Sequence, residues 1–415
     1  MSRRSPTWTA GGAGLDIADP LLYVGDRHLD VWREARRTHP IAWCESERAG
    51  GFWSVTTHRL GGQVVKHPGR FGSALGMRLG GNEAAVKAAS GRMLVVSDGT
   101  EHRALRAAHS TWFNGRAVAA LQPGLERMID DLVRTLLERG EAFDAVRDLA
   151  VAIPTWLLFE MMGVPPDDRD ELARFIAVAF DDTDPGPAAA SARTAAHAGV
   201  FAYFADRLEE GRNAPGDDMV TSLAQATVNG RPLSDEEVIL NCDGLMNGGL
   251  ETTPHAMSGA LLAFIEHPGA WRRLKEDPGL IDSAVEEILR WTSPAMHAMR
   301  TAMTDSTLGA ARIREGDRVV VWFPSCNRDE EVFPEAGRFL IDRRPNPHMS
   351  FGGGPHYCVG AALARIELRC LLRVLLRRVA AVEPAGEAVR QRSNFLNGLE
   401  RFEVTMVPEL HGEEI

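Results

Sequence analysis

Apolar residues recur at spacings of three and four over residues near 101–112, 122–139, 147–162, 167–180, 191–210, 235–266, 280–291 and 360–379. Each run predicts an amphipathic helix. Strand-like runs are fewer and cover Gly51 to Thr56, Arg318 to Phe323 and Arg401 to Val407. The pattern predicts a mainly α fold (α with small β-sheets). No Pro/Ser-rich linker divides residues 16–415, so one large domain is expected after a flexible N-terminus of residues 1–15. Two connections lack periodicity: Ser73 to Asp98, rich in Gly, Ala and Met, and Asp181 to Ser191, with two prolines and a glycine. By themselves they read as surface loops.

The run 235–266 is unusually long and weakens itself in the middle. Ser234-Asp235-Glu236-Glu237 opens it as a capping box. Its centre reads Gly248-Gly249-Leu250-Glu251-Thr252-Thr253-Pro254. Each glycine costs roughly 1 kcal/mol in a helix interior relative to alanine. Pro254 has no N–H for the Leu250 carbonyl, and Thr252 can bond the backbone instead of the helix ladder. A kink is expected at Glu251–Thr252.

One cysteine lies in a glycine-rich loop directly before a helix: Phe351-Gly352-Gly353-Gly354-Pro355-His356-Tyr357-Cys358-Val359-Gly360. A helix N-terminus carries free N–H groups and partial positive charge, which favour a thiolate. The glycines are expected to leave space for something large and flat. Zinc needs three or four protein ligands, and only His356 is near. The five cysteines, at 44, 242, 326, 358 and 370, have no C-x-x-C spacing, which argues against an iron–sulfur cluster. A nucleophilic cysteine fits the helix terminus but not so many glycines. A haem needs one axial thiolate and a broad surface.

Charge narrows the partners. A net charge of −11 argues against nucleic acid. No run of eighteen apolar residues exists, and the polar start of the chain lacks a signal-peptide core, so a cytoplasmic protein with no membrane partner is expected. Arg365, Arg369, Arg373 and Arg377 recur every four residues after the cysteine and read either as a solvated, salt-bridged face or as a docking patch for an acidic partner.

Together these residues resemble the cytochrome P-450 superfamily of soluble bacterial type. Phe351, Gly352, Gly354, His356, Cys358 and Gly360 match its haem-binding signature F-G-x-G-x-H-x-C-x-G. Gly248, Gly249, Glu251 and Thr252 match [AG]-G-x-[DE]-T, with Glu where Asp is commoner and an unusual Pro254. Glu287 and Arg290 match E-x-x-R, and His102 and Arg106 match H-x-x-x-R.

The resemblance implies the P-450 fold, with a long central helix I and a cysteine loop before helix L. It implies haem b bound through Cys358, with His102, Arg106, Arg300 and His356 on its propionates. Thr252 would hydrogen-bond bound dioxygen or the water beside it, and Glu251 would relay protons inward. Glu287, Arg290 and Arg338 would form a structural cluster. Met93, Leu94, Met246, Asn247, Leu250, Ala295, Met296, Phe395 and Leu396 would line the substrate pocket, under the Ser73–Asp98 and Asp181–Ser191 connections.

The implied reaction inserts one oxygen atom from O2 into a small organic substrate, free or tethered to a carrier protein, in hydroxylation or epoxidation. A tailoring step in specialised metabolism is expected. Electrons would come from NAD(P)H through a separate ferredoxin or flavodoxin and its reductase. A P-450-type peroxygenase or oxidative coupling enzyme, and a non-catalytic haem-binding sensor, are the alternatives.

Overall fold

The computed structural model describes residues 16–179, 186–213 and 216–409. The expected flexible segment 1–15 and the first part of the 181–191 connection lie outside these residues.

Helices dominate, as the periodicity predicts. Gly99–Phe113 and Gly115–Arg139 follow each other directly, because Asn114 caps the second helix on the Arg116 and Ala117 N–H groups. That helix starts earlier than expected and runs through Pro123. Ala361–Arg378 packs along it and buries Leu363, Leu368, Leu372 and Leu375. The 147–162 run begins as a wide turn at Ala145–Ala150 and continues as Ala152–Met161. The 191–210 run lies within Pro187–Asn213.

The central run is two helices, Asp235–Leu250 and Thr253–Glu266, broken where the sequence places its weak residues. The capping box is formed: Ser234 Oγ accepts from the Glu237 N–H, and Glu237 accepts from the Ser234 N–H at 2.9 Å. Among the described residues, helices Arg27–Thr38, His58–Val65, Met219–Ala224 and Pro268–Glu276 escape the periodicity. The supposed loop 73–98 contains a further helix, Glu83–Ala89, capped by Asn82.

The largest sheet has five strands in the order Ile41–Cys44, Phe52–Val55, Arg318–Trp322, His297–Ala302, Phe71–Gly72. Two of the expected strands are here. His297–Ala302 is not legible in sequence, because its His, Arg and Thr break any apolar alternation although every residue is buried. It pairs antiparallel with Arg318–Trp322, with Val319 opposite Arg300. The third expected strand is Glu403–Pro408, in a small sheet with Val379–Pro384 and Phe143–Asp144.

Candidate active site

A cavity of about 400 Å³ separates the broken central helix from the cysteine loop. Cys358 N–H donates to the Phe351 carbonyl at 3.0 Å and closes the loop. Gly352 and Gly354 have φ of +69° and +64°, where L side chains are strained. A Cβ on Gly354 would lie 2.4 Å from the Val65 carbonyl oxygen, and one on Gly353 would lie 2.8 Å from Val65 Cγ2. These two glycines therefore seat the loop on the end of helix His58–Val65. They do not clear room for a flat partner, as the sequence suggested.

Cys358 is exposed because its sulfur faces the cavity. Enclosure by the surrounding chain raises its thiol, against the Gly360 N–H and the cations of Arg106 and Arg365. A coordinated metal would hold the thiolate, since a metal-bound thiol is deprotonated outright.

At one end of the cavity stand His102, Arg106, Arg300 and His356. The His102 and His356 rings lie 4.0 Å apart. His356 Nε2 meets Asp98 Oδ1 at 3.1 Å, and Asp98 Oδ2 accepts the N–H groups of Ser73 and Ala74. Burial, with the charges of His356 and Arg106, lowers His102 to about 4. His102 Nε2 is buried without a hydrogen-bond partner among the described residues. Arg300 is buried, and burial lowers it to about 10. Its Nη1 donates to the Met299 carbonyl, and it has no ion pair among the described residues. A desolvated guanidinium of this kind demands an anion.

On the opposite wall, Thr252 Oγ1 donates to the Gly248 carbonyl at 2.9 Å, across the helix break. A side chain on Gly248 would meet nothing within 4 Å, so this glycine leaves the cavity open beside Thr252. Gly249 admits Leu158, whose Cδ1 would lie 2.8 Å from an added Cβ. The Asn247 amide, oriented as a donor, reaches both carboxylate oxygens of Glu251 at 2.9 and 3.1 Å.

Of the expected pocket residues, Met93, Leu94, Asn247, Ala295 and Phe395 line the cavity. Met246, Leu250, Met296 and Leu396 do not. Met246 packs into the main core, and Met296 into a second core with Trp32 and Trp322. Leu250 lies on a different face of the helix from Gly248 and Thr252, packed against the core. Leu396 is buried, on a bridge to Ala295.

A family profile described as Cytochrome P450 matches residues 279–404. Cytochrome P450 NovI of Streptomyces niveus is 35% identical, over 93% of this chain and 94% of its own length. Linalool 8-monooxygenase of Pseudomonas putida is 34% identical, over 95% and 99%. The crystal structure of P450 OxyD, involved in the biosynthesis of vancomycin-type antibiotics, superposes with a TM-score of 0.87 at 35% identity, covering 95% of this chain and all of that one. The chain belongs to the cytochrome P450 family.

This P450 is a haem-thiolate monooxygenase, drawing electrons from NAD(P)H through a redox partner. The residues present fit haem b. Cys358 would hold the metal, while the buried Arg300 and the orphaned His102 Nε2, with Arg106 and His356, would receive the two carboxylates of the group. No helix among the described residues is long and apolar enough to cross a membrane.

One expectation is corrected. Arg338 is not the third member of the E-x-x-R cluster. Its side chain is exposed and pairs with Glu335, and only its carbonyl accepts from Arg290, at 3.0 Å. Arg343 takes the place: its Nε reaches Glu287 Oε2 at 3.0 Å, beside Asn346 at 3.1 Å. Glu287 and Arg290 are fully buried and joined by two 2.8 Å hydrogen bonds. Of its two readings, the arginine stripe takes that of a salt-bridged face. Arg365 pairs with Glu286, Arg369 with Asp282 and Arg377 with Glu126, leaving only Arg373 without an ion pair among the described residues. The sequence reading also missed cavity residues Arg78, His109 and Glu367. An isolated polar residue in a weakly periodic or helical stretch carries no signal of where it points.

Proposed function

We propose that this P450 hydroxylates or epoxidises a small organic substrate held against Met93, Leu94, Asn247, Ala295 and Phe395, as a tailoring step of specialised metabolism. The carrying observation is that Cys358 and the Glu251–Thr252 break face one cavity from opposite walls. Haem held by Cys358 supplies the centre at which O2 is activated. His102, Arg106, Arg300 and His356 would anchor its carboxylates. Thr252 spends its proton on the Gly248 carbonyl, so its oxygen is left as an acceptor toward a water in the cavity. Asn247 holds the Glu251 carboxylate one residue away, as the base and acid that refills that water with protons. The relative named for vancomycin-type antibiotic biosynthesis supports the tailoring role.

The redox partner is an acidic ferredoxin or flavodoxin with its reductase. With the arginine stripe paired, its docking site is assigned to the cysteine side around Arg103, Gly354 and Pro355. A cytoplasmic location follows from that need. A spin-state binding screen, followed by turnover with ferredoxin, reductase and NAD(P)H, tests the reading. It expects one oxygenated product dependent on O2 and electrons. Product formed from peroxide alone, with none from O2 and electrons, would replace it with the peroxygenase reading.

A further inference from the structure

Asn241 and Gly244 stand in the interior of helix Asp235–Leu250, although both residue types are poor helix formers. With Gly248 and Thr252 they fall at spacings of three and four, and all four line the cavity. Gly248 and Thr252 belong to the helix break. Asn241 and Gly244 lie turns before it and face another segment. Asn241 is buried. Its Oδ1 accepts the Leu94 N–H at 3.0 Å, and its Nδ2 donates to the Arg92 carbonyl at 2.8 Å. Nδ2 also donates to the Glu237 carbonyl one turn earlier, at 2.8 Å, which braces the side chain on its own helix. With oxygen toward a donor and nitrogen toward two acceptors, the amide has one satisfied orientation. A Cβ on Gly244 would overlap the Met93 methyl, so the missing side chain there gives Met93 its seat.

The segment held in this way carries Met93, Leu94 and Val95 into the cavity wall, on and beside the turn Leu94–Val96. Leu94 and Val96 are buried, so packing presses the turn inward. Apolar packing is non-directional and leaves the register open. The two bonds of Asn241, on either side of Met93, fix that register. The preceding helix, Glu83–Ala89, buries only Ala89 and adds little hold. The Arg92–Glu236 ion pair is largely exposed and contributes little. Ser97 Oγ donates to the Met93 carbonyl at 2.7 Å, which ties the turn to itself and not to the central helix. Asn241 thus bonds the pocket wall to the helix that leads to Thr252. Gly244, under Met93, precedes Thr252 by roughly 12 Å of helix. A substrate body packed on Met93 is registered against Thr252 across that span, and a wall fixed beforehand lowers the ordering cost of binding.

We propose that Asn241 is a positioning residue for the substrate: it fixes the Met93–Leu94 wall on the central helix and so holds an apolar substrate body in place relative to Thr252. The inference rests on the monooxygenase reading above. It is tested on the holoenzyme by two readouts. The first is residue-resolved hydrogen exchange of the reduced CO complex. In wild type the Leu94 amide should exchange about tenfold or more slowly than that of its exposed neighbour Val95. In Asn241→Leu, which keeps the volume and loses the amide, that difference should vanish. The second is visible titration of the ferric protein with imidazole and 4-phenylimidazole. Asn241→Leu should weaken 4-phenylimidazole about tenfold and leave imidazole unchanged. Asn241→Asp, which keeps the acceptor for the Leu94 N–H, should fall between. Equal exchange of the two amides in wild type overturns the proposal, even if Asn241→Leu fails to fold. An unchanged azole ratio in Asn241→Leu also overturns it, whether neither azole weakens or both weaken equally through general damage to the core. The reduced CO spectrum keeps the two claims apart. A normal thiolate band with an unchanged azole ratio sinks only the Asn241 proposal, whereas a wild type without that band sinks the haem-thiolate reading.

Discussion

The hydroxyl of Thr252 is bonded to the carbonyl of Gly248, 2.9 Å away and one turn earlier. The bond satisfies the Gly248 carbonyl at the helix break, and it occupies the one hydroxyl proton of Thr252. The residue therefore acts as an acceptor toward the cavity, next to a carboxylate steadied by Asn247. Thr252→Ala should leave haem content unchanged and let O2 consumption continue, while product formed per O2 falls by about 10- to 10²-fold. Unchanged coupling in a product-and-O2 assay removes Thr252 from the proton path.

The same arrangement makes Asn247 a positioning residue for Glu251. Asn247→Leu keeps the volume and loses the two hydrogen bonds. Turnover should slow with a larger solvent isotope effect, and the acidic limb of the pH–rate profile should move, while KM changes little. A pure loss of substrate affinity would mean that Asn247 serves only the pocket wall.

The buried cluster around Glu287 distinguishes two arginines that look alike in sequence. Arg343→Ala strips one buried cation from a carboxylate that is fully enclosed, and about 3 kcal/mol of stability should go with it. Arg338→Ala removes an exposed pair with Glu335 and should cost about 0–1 kcal/mol. Urea unfolding of the two variants gives the comparison. The reverse order would restore Arg338 to the cluster.

Glu367 is buried on the cysteine-loop helix, and its Oε2 has no hydrogen-bond partner among the described residues. Burial raises its carboxyl to about 8. The unfolded carboxyl titrates near its ordinary value, so between that value and about 8 the folded chain holds the extra proton. Stability from this group therefore falls as pH rises, by up to ~1.4 kcal/mol per unit. Glu367→Gln removes that slope. Denaturation of wild type and variant at pH 5, 6.5 and 8 should show the variant gaining with pH. Parallel curves would contradict the raised carboxyl.

Local interactions were legible in the sequence, and partnerships between distant segments were not. The capping box at Ser234, the break at Thr252 and the Glu287–Arg290 pair all form within one turn of helix. Arg343 reaches Glu287 across 56 residues, and no spacing rule selects it over Arg338. The arginines at 365 and 369 find carboxylates on helix Ile281–Thr292, 79 and 87 residues away. Strand His297–Ala302 stayed hidden for the same reason. His297 is satisfied by distant groups, Leu79 and Asn394. The cysteine-loop glycines were recognisable as a motif, but their steric reason, the end of helix His58–Val65, lies almost 300 residues upstream.

The central claim is that Cys358, as thiolate, is the axial ligand of haem in this cavity. The most direct measurement is the absorbance of the reduced protein with CO, for wild type and Cys358→His. Wild type should show the red-shifted Soret band of thiolate ligation, and the variant should bind haem without it. Persistence of that band in Cys358→His would contradict the assignment.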